Sequence, residues 1–108
     1  MAKKRTSNST STGTGVKELI KTKIEEPLQF HVIFFNDDFT TTAFVVSILM
    51  TVFNKPQAEA TTLMLKVHHE GSAVIGTYSF DMAMSKAQKA TAIARREGFP
   101  LKIIVEQA

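Results

Sequence analysis

Residues 28–53 read LQFHVIFFNDDFTTTAFVVSILMTVF, and a change of period inside this run decides the fold class. Leu28, Phe30, Val32 and Phe34 alternate with Gln29, His31, Ile33 and Phe35. Alternation with period two predicts a strand, half-buried where Gln29 and His31 share it and more fully buried where Ile33 and Phe35 replace them. Asn36-Asp37-Asp38 then interrupts the run with residues whose side chains bond the nearby backbone and favour a turn. Beyond the turn, Phe44, Val45, Ile48, Leu49, Val52 and Phe53 recur at helical spacing, with Thr40 or Thr41 as the N-cap.

The rest of the chain continues this alternation of elements. Pro56 suits the first turn of a second helix, which carries Ala60, Leu63, Met64 and Val67 and is closed by Gly71. Residues 72–78 read as a second strand, weakened locally by Gly76. Ser79 caps a third helix with Asp81 in its first turn and Ala83, Ala87, Ala90 and Ala94 on its inner face, small enough to let the helix lie close to a sheet. Arg95, Arg96 and Gly98 end it, and Leu101, Ile103, Ile104 and Val105 form the last strand. The order is β-α-α-β-α-β. The expected class is α+β: a three-stranded antiparallel sheet packed against three helices.

Residues 1–15 are Lys, Arg, Ser, Thr, Asn and Gly with almost no apolar side chains, a composition that cannot offset its ordering entropy. Residues 16–26 are mixed and charged, a linker with transient helix at most. Residues 1–26 are therefore expected to be a flexible, basic Ser/Thr-rich tail, and 27–108 a single domain. A transit peptide is the rival reading of the tail, weakened by its short length and its glutamates. The tail carries six basic and three acidic side chains, whereas residues 27–108 balance seven against seven, so the net charge of +3 belongs to the tail. A domain without net charge has no field to attract phosphate, which argues against nucleic acid as partner. No apolar run approaches the ~20 residues that span a bilayer, and no apolar segment follows the basic start, so neither membrane insertion nor secretion is expected. The absence of cysteine excludes disulfides, thiolate metal sites and a thiol nucleophile, and agrees with a reducing, cytoplasmic setting.

Two places carry polar chemistry. Asn36-Asp37-Asp38 reads first as a strand-to-helix turn whose acids favour the coming helix N-terminus. The alternative is a set of acceptors held rigidly at a strand end, where a cation or ammonium would sit. His68 and His69 end the second helix, where the dipole favours a cation. Adjacent helical residues point about 100° apart, so the pair does not form a chelate, and no metal or cofactor is expected. A small hydrolase built on Asp37 and His68 would need a nucleophile that nothing signals, so an enzyme is not expected.

The loop Asn36-Asp37-Asp38-Phe39-Thr40 with Phe44-Val45 after it resembles the signature loop of the ClpS family of N-degron adaptors. So does Ala60-Thr61-Thr62-Leu63-Met64-Leu65-Lys66-Val67-His68 closed by Gly71, and Pro100-Leu101 leading the final strand; the likeness covers about residues 28–108. The resemblance implies an adaptor that binds proteins whose first residue is Phe, Leu, Tyr or Trp. It would deliver them to the N-terminal domain of a Clp-type AAA+ unfoldase, of ClpA or ClpC type. Asn36, Asp37 and His68 would then receive the substrate α-ammonium, Asp37 directly or through water. Thr40, Val45, Met64, Val67 and Leu101 would line the side-chain pocket, and Asp38 would support the loop or the substrate backbone. Thr42 stands where the family commonly has a larger gatekeeper, Met. Asp81, for a usual Glu, and Lys86, matching a usual Lys, would contact the unfoldase, and the tail would engage it during delivery. A second architecture of this order, the C-terminal domain of the ribosomal stalk protein, gives no reason to hold Asn36, Asp37 and His68 together.

Overall fold

The computed structural model describes residues 27–108. The tail expected over 1–26 lies outside them. Strand β1 (Phe30–Phe35) is followed by helices α1 (Thr42–Thr51) and α2 (Gln57–Glu70), strand β2 (Ser72–Tyr78), helix α3 (Phe80–Arg96) and strand β3 (Lys102–Gln107). The sheet has the order β2-β1-β3, with both neighbours antiparallel to β1. The expected class and element order are those observed.

Each boundary has a local cause. Leu28 is largely exposed and β1 begins only at Phe30. Thr41 is the N-cap of α1, its Oγ1 accepting from the Phe44 N–H at 3.1 Å. Thr40 is unavailable for that role because its hydroxyl donates to Asp37. Pro56 stands one position outside α2, extended at ψ 155°, with its carbonyl accepting the first helical bond from Ala60 N. Gly71 ends α2 at φ 90°, a left-handed conformation that glycine adopts without a steric penalty, and its N–H bonds the Val67 carbonyl at 2.9 Å. Leu101, expected in the last strand, is fully buried one residue before β3 begins.

Alternation sorts the sheet into two faces. Val32 and Phe34 are completely buried under the helices, joined by Ala73 and Ile75 from β2 and, less completely, by Ile103 and Val105 from β3. Beneath them lies the apolar side of α1, chiefly Val45, Ile48 and Leu49. Phe53, just beyond α1, meets Phe34 edge to face at 5.5 Å between centroids. α3 turns its Ala83, Ala87, Ala90 and Ala94 inward. The register slips between Val32 and Ile33, giving β2 a bulge in which Ile75 is the extra residue, beside the Gly76 that was expected to weaken the strand. Gly76 lies under the Tyr78 ring, where any β-carbon would collide with it.

Candidate N-terminus-binding pocket

The end of β1 and the end of α2 meet on one side of the sheet. The meeting is made by main chain: the Asn36 N–H donates to the Gly71 carbonyl at 2.9 Å. The left-handed turn at Gly71 aims that carbonyl, and so brings His68, one helical turn earlier, to face the loop after β1.

The loop holds its shape through Asp37. Its Oδ1 accepts from the Phe39 N–H at 2.8 Å and from the Thr40 N–H at 2.7 Å, and its Oδ2 accepts from the Thr40 hydroxyl at 2.8 Å. Burial pushes this carboxyl upward. The Thr40 backbone and side-chain bonds, the Phe39 N–H and the Arg95 charge outweigh that effect, so its pKa lies below the usual value and it is ionised at neutral pH. Oδ1 is fully occupied, whereas Oδ2 keeps a lone pair for a further donor.

Between loop and helix lies a pocket of about 200 Å³ bordered by Asn36, Asp37, Asp38, Thr40, Thr42, Val45, Met64, Val67 and His68. The buried Val45 and Val67 belong to the core cluster, against which Met64 packs half-buried. Asn36, Asp38, Thr42 and His68 are exposed, and Asp37 and Thr40 are half-buried. An apolar interior thus opens to a rim of carbonyl, carboxylate, hydroxyl and imidazole groups. The volume is below the ~300–1,000 Å³ usual for small-molecule pockets, a size for one side chain. A larger groove, of about 540 Å³, lies between α3 and β3, but none of the side chains bordering it is ionisable.

Leu101, named for the pocket, falls outside it, and Asp81 and Lys86, named for the unfoldase, lie apart from it. Leu101, 1 % exposed, sits in the core and does not border the pocket. Asp81 is exposed in the first turn of α3. Lys86 is half-buried, its Nζ donating to the Val52 carbonyl at 3.2 Å and lying 5.5 Å from the Tyr78 ring centroid. His68 and His69 touch edge to face, 5.2 Å between centroids.

Two features escaped the sequence reading. The bracing of Asp37 by Thr40 was signalled by their three-residue spacing, the same spacing that lets a side chain cap a helix. Arg95, whose charge acts on Asp37, carried no signal. It lies 58 positions away, and its guanidinium also donates to the Phe99 and Leu101 carbonyls at 2.9 and 3.0 Å.

Residues 25–104 match the family model described as ATP-dependent Clp protease adaptor protein ClpS. The chain is 46% identical over 94 residues to the ATP-dependent Clp protease adapter protein ClpS of Wolinella succinogenes, covering 87% of this chain and 90% of that one. It is 40% identical over 94 residues to that of Helicobacter hepaticus, covering 87% and 95%. Among solved structures it resembles Agrobacterium tumefaciens ClpS2 bound to L-phenylalaninamide, with a TM-score of 0.75 and 34% identity over 77% of this chain and all of that one. By architecture and sequence, the chain belongs to the ClpS family of Clp protease adaptors.

Proposed function

We propose that this chain binds the free α-amino group and bulky apolar first residue of N-degron substrates and passes them to a Clp-type AAA+ unfoldase. The observation that carries this reading is the union of an apolar interior with a rim of acceptors in one pocket. An α-ammonium offers three donors and one positive charge. The Asn36 amide oxygen and the lone pair of a neutral His68 ring take two donors, and the Asp37 carboxylate supplies the opposite charge. With Oδ1 engaged by the loop, Asp37 acts through Oδ2 or a bridging water. Val45, Val67, Met64, Thr40 and Thr42 surround the side chain of Phe, Leu, Tyr or Trp. L-Phenylalaninamide, to which the A. tumefaciens neighbour is bound, carries both halves of such a ligand: a free amine and an aromatic side chain.

Neither half suffices. Hydrogen bonds to a charged group contribute about 1.5–3 kcal/mol each. Burial of a Phe or Leu side chain contributes a comparable ~1.5–3 kcal/mol. Association entropy costs at least ~4 kcal/mol, so selectivity for chain starts requires both. The unfoldase is engaged by its N-terminal domain, of ClpA or ClpC type, through the α3 surface at Asp81. Lys86 takes part by ordering the junction of α1 and α3, since its ammonium is held on Val52.

The test is the affinity of a Phe-initiated peptide and of its N-acetylated form, read by fluorescence anisotropy. Acetylation removes the charge and two donors, and unpaired acceptors cost about 1–3 kcal/mol each, so affinity is expected to fall at least ~100-fold. Equal affinities would remove the adaptor reading.

A further inference from the structure

The groove of about 540 Å³ between α3 and β3 plays no part in the pocket. It is bordered by Met84, Ala87, Thr91, Ala92, Ile103 and Val105, with Gln88 as its other polar contributor. It runs along the outer side of β3, an edge strand, so no element of residues 27–108 covers it.

The preceding part of the chain holds a matching surface. Within residues 1–26 the apolar side chains beyond Ala2 are Val16, Leu19, Ile20 and Ile24. They are spaced i, i+3, i+4, i+8, one stripe of a helix, with Lys17, Glu18, Lys21 and Thr22 off it. Nine helical residues are ~13 Å long. An isolated helix that short is marginal in water and needs a surface to hold it.

The reach is sufficient. The Ala108 N–H donates to the Gln29 carbonyl at 2.9 Å, so the entry to β1 lies against the end of β3. From there to Val105 is three residues, ~10 Å at the rise of a strand. The five residues from Ile24 to Gln29 extend ~17 Å. The likeness to relatives also includes this segment. A 95-residue match within 108 residues must contain 14–95, and two adaptors, of Nitratidesulfovibrio vulgaris and Nitrosospira multiformis, match over 95 residues.

We propose that residues 16–24 dock as an amphipathic helix in the α3–β3 groove of their own chain, with Val16, Leu19, Ile20 and Ile24 facing Met84, Ala92, Ile103 and Val105. The docked segment fixes where residues 1–15 leave the domain, on the α3 side. This docking does not depend on what the pocket binds.

The chain has no cysteine, so paired cysteines report proximity without interference. In the full chain, Ile20→Cys with Thr91→Cys places one thiol in the segment and one in the groove. Ile20→Cys with Val74→Cys is the control, since Val74 is 42% exposed on the opposite face of the sheet. Under mild oxidation the Thr91 pair is expected to form an intrachain disulfide at least tenfold faster, and Leu19→Asp to abolish that advantage. In the cysteine-free chain, Leu19→Asp is expected to move the methyl resonances of Ile103 and Val105 while leaving that of Ile33 in place. Equal rates for the two pairs would overturn the proposal, as would unmoved methyl resonances. Disulfides forming mainly between chains would assign the groove to a second copy and overturn it equally.

Discussion

Asp37 is a structural and an electrostatic residue at once. Three bonds from Phe39 and Thr40 keep it ionised, and the same charge faces the pocket. Its folded pKa is lowered, so the stability it contributes is complete above the unfolded value of about 3.9 and is lost as pH falls through the folded one. Denaturant titrations between pH 2 and 6 are therefore expected to show stability falling more steeply with acid in the native chain than in Asp37→Asn. Parallel curves would mean that the three bonds do not favour the charged form. Thr42, exposed at the first turn of α1, borders the pocket mouth. Thr42→Met is expected to reduce affinity for peptides beginning with Ile or Val several-fold more than for those beginning with Leu or Phe; an unchanged ranking would deny Thr42 a part in selection. The residues around the pocket were legible through the resemblance of the runs Asn36 to Val45 and Met64 to His68 to the ClpS loop and helix, since periodicity alone makes Asn36-Asp37-Asp38 a turn and Met64 and Val67 core. Leu101 and Lys86 were not, since no spacing rule reveals that the one lies in the core or that the other turns back to the Val52 carbonyl.

At the scale of elements, Gly71 turns α2 into β2 through a left-handed backbone. A β-carbon at Gly71 would meet nothing within 4 Å, so the penalty for Gly71→Ala is the left-handed backbone alone, roughly 1–2 kcal/mol. For a domain of this size each kcal/mol corresponds to a fall of about 4–8 °C in Tm. Because the Gly71 carbonyl also receives the Asn36 N–H, the same variant is expected to weaken binding of a Phe-initiated peptide several-fold. Calorimetry and anisotropy on one sample separate the two effects, and a fall in Tm at constant affinity would show that the strap does not set the rim. Element types were all readable from the sequence because each change of period coincides with Asn-Asp-Asp, Pro, Gly or Ser. Boundaries were less so. The choice between Thr40 and Thr41 as cap was decided by competition, once Asp37 had taken the Thr40 hydroxyl, and that outcome depends on a loop shape no propensity encodes.

Across the whole molecule, charge and chemistry are partitioned. The basic excess lies in residues 1–26, whereas 27–108 are balanced. No pocket residue belongs to the first group, so removal of residues 1–24 is expected to leave peptide affinity unchanged within twofold while lowering the rate at which a Clp protease degrades a Phe-initiated substrate. Full stimulation by the shortened chain would make those residues dispensable for transfer. Among the described residues no helix is long and apolar enough to cross a membrane. The bond between Asn36 and Gly71 joins main chain to main chain across 35 positions. On the proposed reading, the distance between the groups that would meet an amine is set by a backbone bond, which side-chain changes other than at Gly71 leave in place, while the groups that would judge the first side chain are replaceable one at a time. On that reading, such a division would let a lineage retune which proteins it condemns without rebuilding the grip on a protein's beginning.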